Sequence, residues 1–85
     1  MNAYILIQAD PRAGADGRLS EEIGRLDGVA RVDRVRGPVD LIAQVDAAES
    51  AIDVLVSEIR GLSGTLHAVV SPVLDRVAVG APVTA

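Results

Sequence analysis

The chain repeats itself. Moved along by 36 positions, Ile5, Leu6, Gln8 and Asp10 fall on Leu41, Ile42, Gln44 and Asp46, and Glu22, Ile23, Leu26 and Gly28 fall on Glu58, Ile59, Leu62 and Gly64. Two copies of one strand-helix-strand unit are the simplest account, joined at Gly37-Pro38, a dipeptide that marks a tight turn between two apolar runs. A single unit cannot cover its own apolar face, so the halves must fold together as one domain. The chain has 85 residues, enough for one domain with one modest core. A monomer of this size buries only about 60–65% of its unfolded surface, and oligomerisation often supplies the missing stability.

Residues 3–9 are apolar except at Gln8 and end at Asp10-Pro11, as an interior strand would. Residues 10–17, with Pro11, Gly14 and Gly17, read as a loop. Leu19, Ile23 and Leu26 then recur at helical spacing, which predicts a helix from 16 or 17 to 27. Glu21 can pair with Arg25 on it, and Gly28 can serve as the C-terminal cap. Val29, Val32 and Val35 are three apart rather than two, so the strand at 29–36 should carry a bulge or strong twist near an edge. Residues 39–45 form the second interior strand. Asp46 and Glu49 have capping-box spacing at the head of a helix bearing Ile52, Leu55, Val56, Ile59 and Leu62, ended by Gly61 or Gly64. The fourth strand spans 65–74, with Pro72 at its edge end. Residues 1–74 are thus the domain and 75–85 a C-terminal tail, which can add a short strand at 77–79 and whose last residues are expected to be disordered.

The order β-α-β-β-α-β, with right-handed crossovers, gives an α+β ferredoxin-like fold: a four-stranded antiparallel sheet, central strands one and three, both helices on one face. Val39, Leu41, Ala43 and Val45 would then lie under the helices, and Asp40, Ile42 and Gln44 would point the other way, as would Tyr4, Leu6 and Gln8. That second row, with Val69 and Val73, is too apolar to leave wet. The expectation is a homodimer in which two sheets meet, with Tyr4, Leu6, Gln8, Ile42 and Gln44 in the interface and the two Gln side chains as neighbours in the seam.

Composition narrows the function classes. Nearly half the residues are hydrophobic, yet with no Phe or Trp and a single Tyr the core must be Val, Leu, Ile and Ala. The net charge is −4 without a basic run, which argues against a nucleic-acid surface. There is no Cys, so disulfides and thiolate chemistry are excluded. The first residues lack a signal-peptide pattern, nothing approaches transmembrane length, and a cytoplasmic protein is expected. His67, the single imidazole, has no partner at ligand spacing, so neither a metal site nor a cofactor is expected. No Ser sits in a nucleophile elbow, and the chain is read as a non-enzyme. Arg31, Arg34 and Arg36 make a small basic patch, read as a solvated edge or as a site for an acidic ligand.

Residues 3–7, then Leu26 with Gly28-Val29, then Val35-x-Gly37-x-x-Asp40-Leu41-Ile42-Ala43, then Gly64 before the last strand, resemble the effector-binding or RAM domain of the Lrp/AsnC transcription regulators. The resemblance covers roughly residues 3–74 and is most specific at Gly37 to Leu41. It implies the ferredoxin-like fold, sheet-to-sheet dimers assembling further, and small effectors, usually amino acids, bound between dimers against the turn joining strands two and three. By motif, Gly37 and Asp40 lie at that pocket, with Pro38 and Val39 in its turn. Val39 stands where the family often has an aromatic residue, and Val70 beside Ser71 where it favours Thr. A glycine backbone lets a ligand approach closely, and a carboxylate can receive an α-ammonium group. Asp40 can equally serve to brace the turn. No helix-turn-helix precedes strand one, so the resemblance implies a stand-alone module without direct DNA contact. Its alternatives are a structural partner that co-assembles with a full-length regulator and an ACT-like regulatory domain.

Overall fold

A computed structural model describes residues 1–14, 17–77 and 80. The elements are β1 (Asn2–Ala9), α1 (Pro11–Gly14), α2 (Arg18–Gly24), β2 (Val29–Arg34), β3 (Leu41–Asp46), α3 (Glu49–Gly61) and β4 (Thr65–Pro72). The four strands form one antiparallel sheet in the order β2-β3-β1-β4, with the two repeat-related strands at its centre. This is the ferredoxin-like arrangement that the pattern of apolar residues implies.

The alternation along each central strand decides which side is buried. Ala3, Ile5 and Ile7 of β1, with Leu41, Ala43 and Val45 of β3, are buried beneath Leu19 and Ile23 of α2 and Ile52, Leu55, Val56 and Ile59 of α3. These side chains make one aliphatic core, closed at the β4 edge by Ala68. On the opposite face, β1 contributes Tyr4, Leu6 and Gln8, β3 contributes Ile42 and Gln44, and β4 contributes His67, Val69 and Ser71. Tyr4 is 36% exposed and Val69 40%.

Several local expectations change. Asp46 does not cap α3: it is the last residue of β3, pairs with Asn2, and its carboxylate lies 3.6 Å from the amino group of Met1. The N-cap is Ala48, with no side-chain cap, because the strand runs on to Asp46 and the helix cannot begin until the chain has turned. Within one chain Gln8 and Gln44 are not neighbours. Antiparallel pairing puts Gln44 opposite Tyr4, so the two amides lie about 13 Å apart along the strands. Residues 10–17 are not all loop, since Pro11–Gly14 make one helical turn.

Helix α2 is shorter than its apolar spacing suggests. It tightens at its end through Arg25 N–H to Glu22 O at 3.2 Å and Leu26 N–H to Ile23 O at 3.1 Å, then stops before Gly28, whose φ is +93°. Leu26 still packs on the core, but from the turn. Among the described residues its ion pair is Arg18 to Glu22, at 3.9 Å, in place of Glu21 to Arg25. Strand β2 carries the expected irregularity, a shift of register between Val29 and Arg31 against β3. Strand β4 stops at Pro72, with one further bond from Val73 N–H to Asn2 O. Val77 is not in a strand; residues 78–79 and the last residues of the tail lie outside the described ones.

Candidate functional site

The turn between β2 and β3 is held from three sides. Val35 N–H donates to Asp40 O at 2.9 Å and closes the hairpin, while Asp40 N–H donates to Ile7 O at 2.9 Å and carries the β1–β3 ladder one step beyond Leu41. The next rung would pass through Val39, but there the chain has left the sheet. The Asp40 carboxylate takes over: its Oδ2 accepts the Ala9 N–H at 2.8 Å. Gln8 Nε2 donates to Pro38 O at 3.1 Å and holds the outer side of the turn. Gly37 has φ +151°, a conformation unfavourable for other residues, although no atom would crowd a Cβ there. The bracing role weighed for Asp40 is therefore present, and it occupies one of the two carboxylate oxygens.

Beside the turn, on the helix side of the sheet, lies an open depression of about 570 Å³, within the range of small-ligand sites. Its floor is apolar: Ala9 from β1, Leu19 from α2 and Leu41 from β3, all buried. Its rim is charged, with Asp10, Arg34, Arg36 and Asp40. Asp10 Oδ1 accepts the Arg12 N–H at 2.9 Å, and Ser20 Oγ, also in the lining, donates to Gly17 O at 2.7 Å. No ion pair joins Arg34 or Arg36 to a described carboxylate.

The sequence-derived site residues divide. Gly37, Pro38, Val39 and Asp40 form the turn, and Asp40 borders the depression. Val70 and Ser71 do not join them within one chain, because β4 pairs them with Ile5 and Tyr4, towards the other end of β1. The basic patch also divides: Arg31 lies opposite Gln44 on the open face and pairs with Asp33 at 3.2 Å, whereas Arg34 and Arg36 line the depression. Sequence reasoning did not bring Ala9, Leu19 and Leu41 to this place, since each reads as an ordinary core position. The usable signal was Arg34 and Arg36 flanking the Gly-Pro turn. His67 is exposed on β4 opposite Gln8. Among the described residues there is no group of three or more metal-ligating side chains and no helix long and apolar enough to cross a membrane.

Solved structures share this fold. TTHA0845 from Thermus thermophilus is 29% identical, with a TM-score of 0.79 over 91% of this chain and 96% of its own. MtbAldR is 21% identical, with a TM-score of 0.76 over 94% of this chain and 55% of its own. An AsnC family transcriptional regulator from Agrobacterium tumefaciens is 15% identical, with a TM-score of 0.75 over 92% of this chain and 52% of its own. The chain thus has the fold of a domain found in an AsnC family regulator, and it spans about half the length of these last two proteins. No protein-family model and no curated protein matches it.

Proposed function

We propose that the chain is a small-effector binding and oligomerisation module of the Lrp/AsnC type, acting in transcriptional or metabolic regulation in the cytoplasm without touching DNA itself. The observation that carries this reading is the fold shared with an AsnC family transcriptional regulator. Residues 1–74 are the working unit, and 75–85 a tail. The open face of the sheet, with Tyr4, Leu6, Gln8, Ile42 and Gln44, meets the same face of a second copy, since its apolar row gains by leaving water. Dimers then associate through the turn at Gly37, Pro38, Val39 and Asp40. An amino acid bound there sets its α-ammonium group on the second oxygen of Asp40. Val70 and Ser71 come from another copy, which makes the pocket complete in the assembly alone. The effector acts by differential affinity: it favours whichever oligomer presents the completed pocket. The net charge of −4 gives no footprint for a phosphate backbone.

Light scattering across a concentration series, with and without each amino acid, tests this. A step from dimer to a larger assembly, moved by one amino acid, is the expected result; a monomer at all concentrations would overturn the reading. The same open face also suits co-assembly with a full-length regulator, which co-purification from the host would reveal.

A further inference from the structure

We infer that two copies of this chain join edge to edge through β2, antiparallel about a twofold axis at Val32, so that Arg31 of each lies opposite Asp33 of the other. This goes beyond the assembly reading, which uses the open face of the sheet and the turn at residues 37–40. The edge is a further surface, and its partner is a second copy.

The two edges of the sheet, β2 and β4, differ. Along an antiparallel strand the backbone groups of successive residues point alternately to the two sides. On β4, Val73 N–H bonds inward to Asn2 O, so His67, Val69 and Ser71 also bond inward, and Ala68, Val70 and Pro72 face outward. That edge is obstructed. The Arg60 guanidinium donates to Ala68 O from Nε at 3.2 Å and from Nη2 at 2.9 Å, and Pro72 has no N–H to offer an added strand.

The β2 edge is open. Val35 N–H bonds inward to Asp40 O, so Arg31 and Asp33 also bond inward, and Val32 and Arg34 face outward. Among the described residues nothing caps the backbone of Val32 or Arg34. Helix α2 passes this edge at Gly24, which is exposed; a Cβ there would meet Val32 Cγ2 at 3.9 Å, so the helix lays no side chain over the strand at that point.

The side chains of β2 then select both partner and register. Outward-facing residues must pair with outward-facing residues, so the possible registers differ by steps of two. With Val32 opposite Val32, Arg31 of each copy meets Asp33 of the other at the position where side chains come closest, twice by symmetry. One step either way sets Arg31 against Arg31 or Asp33 against Asp33. Both side chains lie on the open face, opposite Gln44 and Ile42. Within one chain they pair at 3.2 Å while 63% and 49% exposed, a contact that does little for a single chain. Across the edge the same residues make an alternating cluster of Arg and Asp.

Residue-resolved hydrogen exchange, with light scattering, on the full chain over a concentration series tests this. As concentration rises, exchange at the Val32 and Arg34 amides is expected to slow, and at Val70 to keep its rate. Arg31→Asp and Asp33→Arg, each alone, set like charges opposite and should weaken the association at least about tenfold. An equimolar mixture of the two variants restores opposite pairs and should recover it, as should the double variant. Melting temperatures show that the variants fold. Unchanged exchange at Val32 and Arg34 in the concentrated chain, protection of Val70 in their place, or no recovery in the mixture would overturn the inference. Leu6→Glu, on the open face, should weaken face packing and leave the protection of Val32 intact, so failure of the assembly reading is seen separately.

Discussion

The two halves of the chain begin from one template and end as different structures. Leu19 and Ile23 stand in the repeat where Leu55 and Ile59 stand, and all four are buried. Gly28 and Gly64 both close their helix-to-strand turns at positive φ, +93° and +98°. Between these fixed points the helices diverge: α2 has 7 residues and α3 has 13. In the repeat frame α3 starts more than a turn earlier, and that extra length sets Ile52, 2% exposed, over the core. The position equivalent to Ile52 in the first half is Asp16, which lies outside the described residues. Where the second half is closed above Val45, the first half leaves the charged-rimmed depression above Ala9. A duplicated scaffold supplies the sheet and core. The depression lies on the side of the shorter helix, α2.

The largest effect should come from removing what the second half has gained. Ile52→Ala is expected to lower stability by about 3 kcal/mol in urea unfolding, from lost burial and the cavity left behind. A cost below about 1 kcal/mol would mean that the extra turn of α3 does not close the core. Next come the two glycines. A Cβ at Gly28 would meet the Ala47 Cβ at 3.5 Å, an ordinary contact, so the cost of Gly28→Ala lies in its backbone conformation. Gly28→Ala and Gly64→Ala should each cost about 1–2 kcal/mol. Agreement within about 0.5 kcal/mol would show the two turns to be energetically equivalent, and a wide gap would break the repeat at its best-preserved point.

Asp40→Ala probes a contact on the rim of the depression. It removes the acceptor of the part-buried Ala9 N–H, with an expected loss of about 1 kcal/mol. Hydrogen exchange at the Ala9 amide should rise with it, and unchanged protection there would deny Asp40 its bracing role. The smallest effect belongs to the edge. Arg31→Ala breaks a 3.2 Å pair with Asp33 in which both side chains are about half exposed or more, and stability should move by less than about 0.5 kcal/mol.

Much of the fold was legible because periodicity reports burial directly. Alternation in β1 and β3 named the row beneath the helices, and the offset of 36 fixed which strands are central. Helix ends were less legible. Leu26 continues the apolar spacing of α2 yet reaches the core from a turn, so spacing alone overran the helix by several residues. Asp46 had the right residue type for a cap, but pairing with Asn2 kept it in the strand; the energy of the ladder outweighed a local capping preference. The Gly-Pro turn was visible as a turn. The depression was not, since its lining comes from β1, α2, β2 and β3.

By itself, the sequence determined the duplication, the strand-helix-strand order, the aliphatic core and the placement of an apolar row on the uncovered face. Those follow from period and composition, which act locally along the chain. Tertiary structure alone decided that Gln8 faces Pro38 rather than Gln44, that Arg31 and Arg34 take opposite faces of the sheet, and that Asp40 spends one oxygen on Ala9. Each of these depends on the register between strands, which for Gln8 and Asp40 joins residues 30 and 31 positions apart in the chain. Register is set by the packing of the whole sheet against its helices, and no local pattern encodes it.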